Sequence, residues 1–183
     1  MVSAAKRSEM SKDTLLPAMA DHVLAHGLSQ ASLRPLAKSA GTSDRMLIYH
    51  FGNKEKLIAE LLDYLAEKYA AALDQGFGDG LPMTRKECVQ RILSQSAKPD
   101  MQPFMALWWE IVAGCARGIA GYGEAAQAMT EKLLSWLEAH MPADDPDPQG
   151  GARYLLTLVE GSQMLSAVRQ TRLAREGLVA STL

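Results

Sequence analysis

Between residues 32 and 51 the chain sets two helix starts and a glycine stop so close together that only two short helices and a tight turn fit. Ser32 is a good N-cap for a helix carrying Leu33, Leu36 and Ala37, and Gly41 ends it. Pro35 falls in that helix's first turn, where a missing N–H is tolerated. Thr42 and Ser43 then supply two capping hydroxyls ahead of a second short helix over residues 44–51, with Leu47 facing inward. Upstream, Leu15, Met19 and Val23 recur at four-residue spacing over residues 11–26, and Gly27 stops that helix. Pro17 must lie in its first turn or kink it. Downstream, Gly52 and Asn53 break the chain and cap a longer helix striped with Leu57, Leu61, Leu65, Tyr69 and Leu73.

Two short helices on either side of Gly41 form a helix-turn-helix pattern, in which the second helix enters the DNA major groove and the first braces it. The remainder reads as more helices. Three glycines in residues 76–82 mark a loop; helices are expected over 84–97, 103–116, 123–140 and 152–176, and residues 141–151, PADDPDPQGG with a preceding Met, as irregular. Leu, Ala and Met dominate the apolar residues while aromatics are only 6%, which favours helices over a sheet. The expected fold is all-α: a three-helix head over 1–56, joined by a linker helix to a helical effector-binding and dimerisation domain over 57–183. No internal repeat is present. Residues 1–56 hold eight Lys/Arg against five Asp/Glu, so a basic head precedes a body that is acidic enough to leave the chain at a net charge of -2.

No apolar run approaches the roughly 18 residues a membrane span needs. Residues 1–13 are polar, unlike a secretory signal, so a cytoplasmic protein without a membrane partner is expected. Cys88 and Cys115 lie in separate apolar segments and read as reduced and buried. His22 and His26 are four apart, but no third ligand accompanies them, so no metal is expected. There is no phosphate-cradling glycine loop, nucleophile elbow or Cys-His cluster, so neither a cofactor nor catalysis is expected.

The segment LRPLAKSAGTSDRMLIYHFGNKEKL, through Leu36, Ala37, Ala40, Gly41, Ser43, Leu47, His50, Phe51, Lys54 and Leu57, resembles the DNA-binding head of the tetracycline-repressor (TetR) family. With Leu16, Ala20 and Gly27 upstream, the resemblance covers residues 15–62. Ile48 stands where tyrosine is usual, with Tyr49 one step later, and Met46 replaces a small or hydroxyl residue. The resemblance implies a transcriptional regulator, a repressor released from a pseudo-palindromic double-stranded operator by a small apolar or aromatic effector. The competing reading is a helical enzyme or small-molecule carrier that has lost DNA binding.

The candidate DNA contacts are Ser32, Arg34, Thr42, Ser43, Asp44, Arg45, Tyr49, His50 and Lys54. Lys54 and Lys56 stand at a helix N-terminus, where the macrodipole disfavours positive charge; a phosphate would relieve that conflict, and the resemblance gives Lys54 this role. Arg45 can donate two bonds to guanine or one to phosphate. Asp44 reads as a cap for helix N–H groups before it reads as a base reader, and Tyr49 and His50 as phosphate donors or, for His50, packing.

In the body, FMALWWEIVAGC is apolar nearly all round, so this helix reads as enclosed and as a pocket wall, with Met101, Phe104, Met105, Trp108 and Trp109 for an apolar effector and Glu110 orienting it. Ordinary core is the alternative for each, and Glu110 could instead meet water, Arg117 or Arg153. In the resembled family the last two helices of each subunit pair into a four-helix homodimer interface. Here that implies Met129, Leu133, Trp136, Leu137, Leu155, Leu158, Ser162 and Leu165, with packing inside one subunit as the alternative.

Overall fold

The computed structural model describes residues 11–78 and 80–180. The expectation for the first residues therefore lies mostly outside the described chain. Among the described residues there are nine α-helices and no strand: α1 (Lys12–His26), α2 (Leu33–Ser39), α3 (Asp44–Phe51), α4 (Lys54–Phe77), α5 (Arg85–Ser96), α6 (Gln102–Ala116), α7 (Tyr122–Ala139), α8 (Pro148–Ala167) and α9 (Thr171–Ala180). None of these helices is long and apolar enough to cross a membrane.

The helices gather into two compact units, residues 1–68 with 103–129 and residues 69–102 with 130–183. In the first, the four-residue stripes converge. Leu15, Met19 and Val23 of α1, Leu36 of α2, Leu47 and Phe51 of α3, and Leu57, Leu61 and Leu65 of α4 are all buried in one core, and α6 adds Leu107 and Ile111. Burying a side chain of this size is worth about 1.5–3 kcal/mol, which is what holds helices as short as α2 and α3 in place. Pro17 lies inside α1, past its first turn, and the helix continues through it. Lys12 ties α1 to α4 through Glu60 at 2.6 Å.

The second unit is built on Leu73, Phe77, Val89, Ile92, Leu137, Leu155 and Val159. Cys88 is buried there, and burial pushes its thiol up to about 12, which leaves it inert. Two boundaries differ from expectation. Residues 148–151, read as irregular, open α8: the Asp147 carboxylate accepts from the Gly150 amide at 2.9 Å and Pro148 occupies the first turn, where it stabilises a start. The final helix, expected to run unbroken over 152–176, divides into α8 and α9 at Arg169, whose φ of 63° lets the Gln170 amide reach back to the Leu165 carbonyl at 2.7 Å.

Arg85 of α5 grips the segment before α8. Its guanidinium donates two bonds of 2.7 Å to Asp145 and a third to the Asp147 carbonyl at 3.1 Å. These bonds hold the Asp145 carboxyl below its ordinary range against the opposing effect of burial, with help from the Asp147 amide. A lowered carboxylate pKa stabilises the fold in full above the unfolded value of about 4, and that contribution fades as pH falls through the folded value. Asp145→Asn should therefore lose about 2 kcal/mol at pH 7. In urea melts the gap to the parent chain should close at pH values below about 4.

Candidate nucleic-acid interface

The turn between α2 and α3 is built from local bonds. Gly41 takes φ 63°, a left-handed conformation costly for other residues, and directs the Thr42 amide back to the Ala37 carbonyl at 2.9 Å. Ser43 then caps α3, its hydroxyl accepting from the Met46 amide at 3.3 Å. Leu36, Ala37, Leu47 and Phe51 are buried beneath, so the opposite sides of α2 and α3 face solvent.

On that solvent side stand Ser32 and Arg34 at the start of α2, and Ser43, Asp44, Arg45 and Tyr49 along α3, with Tyr49 78% exposed. Arg45 and Tyr49 are one helical turn apart, on one face. Ser32 makes no side-chain cap bond, which leaves its hydroxyl for another partner. Lys54 is exposed at the first position of α4, where the Asn53 side chain accepts from the Lys56 amide at 2.8 Å. Two candidates sit differently. The Thr42 hydroxyl oxygen and His50 Nε2 are buried without a hydrogen-bond partner, so neither reaches a ligand in this conformation. Lys38, which the sequence pattern did not single out, is exposed in the last turn of α2. Among the described residues Arg34, Lys38, Arg45, Lys54 and Lys56 carry no ion pair, so five cations lie around the turn without a salt-bridge partner.

Residues 20–61 match the family model for bacterial regulatory proteins of the tetR family. Over these residues the chain is similar to that family's head. The TetR-like fold extends along the chain. A putative TetR-family transcriptional regulator from Rhodococcus sp. aligns over 91% of this chain and 93% of its own, with a TM-score of 0.68 and 22% identity. A putative transcriptional regulator from Streptomyces coelicolor A3(2) aligns over 91% and 94%, with a TM-score of 0.68 and 24% identity. The multidrug binding protein EbrR, solved with proflavin, aligns over 91% and 96%, with a TM-score of 0.64 and 19% identity. No curated protein sequence matches the chain.

Behind the helix-turn-helix, α6 acts as a brace. Phe104 and Trp108 pack against the core that holds α1 to α4, and Met105 and Leu107 are buried. Glu110 accepts from the Leu28 and Ser29 amides at 2.8 and 2.7 Å, satisfying the 3₁₀ turn that links α1 to α2. Gly27 is required at this junction: its φ is 85°, and a Cβ would stand 2.7 Å from Glu110 Oε2. Met101 is buried in the other unit, and Trp109 is half-buried. The helix is not enclosed all round, because Ala106, Val112, Ala113 and Ala116 are exposed. Cys115, expected to be buried, is exposed on this bare side.

A cavity of about 780 Å³ lies within the same unit, elsewhere than at these α6 aromatics. Its walls are the 28–32 link, residues 54–66 of α4, and the residues from 120 to 129. Of the α8 and α7 residues considered for pairing, Leu137 and Leu155 are fully buried within the second unit, and Ser162 is buried too. Trp136 is buried against Phe77 and donates to Asp74 at 2.7 Å. Met129 packs in the head core; Leu133, Leu158 and Leu165 keep partial exposure.

Proposed function

We propose that this chain is a DNA-binding transcriptional regulator, a repressor with no catalysis of its own, working in the cytosol. The observation that carries this reading is the set of exposed, unpaired cations around the helix-turn-helix. A line of phosphates across this surface is attracted by all five at once. Arg45, with Tyr49 one turn on, faces base edges, while Lys54 and the α4 N-terminus hold a phosphate. Ser32, Arg34 and Ser43 add backbone contacts, and Asp44 serves α3 as a helix-start acid. Lys54→Ala should weaken all duplex sequences alike and lower the slope of log affinity against log salt by about one, read by fluorescence anisotropy at several salt concentrations. A changed base preference with an unchanged slope would contradict the phosphate role.

The functional division falls near residue 56, with the head reading DNA and the rest serving pairing and regulation. Pairing through α7 and α8 is supported by an apolar stripe on α8 that the single chain leaves partly or fully open: Tyr154, Leu158 and Leu165, with Gly161 between them and Val168 at the helix end. Two copies supply two heads for a pseudo-palindromic operator. Sedimentation should give a dimer for the parent chain and a monomer for Leu165→Asp. Release of DNA by a small apolar or aromatic effector completes the reading, supported by the fold shared with a multidrug binding protein.

A further inference from the structure

We infer that Met46 reads a thymine through its C5 methyl group, beside the guanine that Arg45 reads, an inference that rests on the proposed DNA-binding role of α3. Leu47 and Phe51 bury one side of α3. At about 100° per residue, this aims Arg45 and Tyr49 outward and places Met46 about 60° to one side of Tyr49. Met46 and Tyr49 neither belong to the head core nor pack against it. The Tyr49 ring meets the His50 ring edge-on, with centroids 5.2 Å apart, and stays 78% exposed. Met46 is half-buried, and it is its amide, not its side chain, that bonds to Ser43 at the helix start. An apolar ledge of thioether and ring thus stands next to a guanidinium, and core packing does not account for it.

The major groove offers such a ledge one partner. Its base edges present hydrogen-bond donors and acceptors, and the apolar group among them is the C5 methyl of thymine. A thioether suits that methyl, because it is unbranched, polarizable and adaptable, and it carries no donor to spend on a polar edge. Met46 stands where the resembled family usually has a small or hydroxyl residue, so the departure gives α3 an apolar arm. Ile48, the other departure, lies about 160° round the helix from Met46 and does not share the ledge. The cations around the turn take phosphates, which leaves the base edges to the outward side of α3.

The test uses duplexes enriched from a random pool by the full chain and resynthesised with deoxyuridine in place of each thymine in turn. That change removes the methyl and keeps the pairing edge. Fluorescence anisotropy should find one sensitive thymine in each half-site, where losing the methyl weakens binding about fourfold, the factor of one buried methyl group. Met46→Ala should bind the thymine duplex about as weakly as the parent chain binds the deoxyuridine duplex, and should not distinguish the two. Met46→Leu keeps an apolar arm and should still distinguish them. Because Met46 stands outside the core, the three chains should melt together. Enriched sequences with no thymine sensitive to methyl loss, a Met46→Ala chain that keeps the parent's discrimination, or a Met46→Leu chain that ignores the methyl overturns the assignment and leaves DNA binding standing. A chain that enriches no duplex overturns the assignment together with the regulator reading.

Discussion

Glu110→Ala is expected to be among the most damaging single substitutions in the chain, lowering the unfolding free energy by about 2–4 kcal/mol. The carboxylate accepts two charge-assisted bonds, from Leu28 at 2.8 Å and Ser29 at 2.7 Å, and Leu28 itself is buried. Removing the acceptor leaves the part-buried Leu28 amide without its partner at the turn that aims α2. A buried donor without a partner costs more than the bond itself contributes. Glu110→Gln keeps one acceptor oxygen and should lose about half as much. Urea denaturation of the three chains checks the order, and a Glu110→Ala midpoint equal to the parent's would contradict the bracing role. DNA affinity should fall with the stability of α2's placement, so Glu110, far from the DNA-facing residues in sequence, should register in operator binding too.

Arg45→Ala is expected to weaken operator binding by about 1–3 kcal/mol and to relax the preference at one base position, while leaving stability within about 0.5 kcal/mol. The two readouts separate because Arg45 is exposed at the second position of α3 and carries no internal partner. Its guanidinium can donate a matched pair of bonds to guanine, which a phosphate contact would not need. Arg45→Lys keeps the charge but not the fork, so it distinguishes the roles: a base reader loses discrimination, whereas a phosphate contact is largely preserved. Competition anisotropy against duplexes that differ at single positions reads the difference.

The head was legible because its signals are local. Ser43 and Asn53 cap α3 and α4 where the sequence placed those starts, and Leu36 and Leu47 bury where the periodicity pointed. Elements defined by tertiary contact were not legible. The single acid in FMALWWEIVAGC drew attention to Glu110, but nothing near it in sequence reveals that its partners are backbone amides more than eighty residues earlier. The break between α8 and α9 rests on Arg169, a residue that ordinarily avoids positive φ, so no glycine or proline announced it. His50 and Thr42 looked equally able to face a ligand until burial separated them from Tyr49 and Ser43. The cavity was invisible in sequence for a related reason. Its walls come from three stretches of chain, and none of them is conspicuously apolar alone.

Selection of bound duplexes from a random pool by the full chain tests the central claim most directly. The account predicts enrichment of a pseudo-palindrome with two half-sites, retention that falls steeply as salt rises, and loss of the enriched pattern for Arg45→Ala. A pool that emerges with no enriched sequence at low salt, while the chain remains folded, would contradict it.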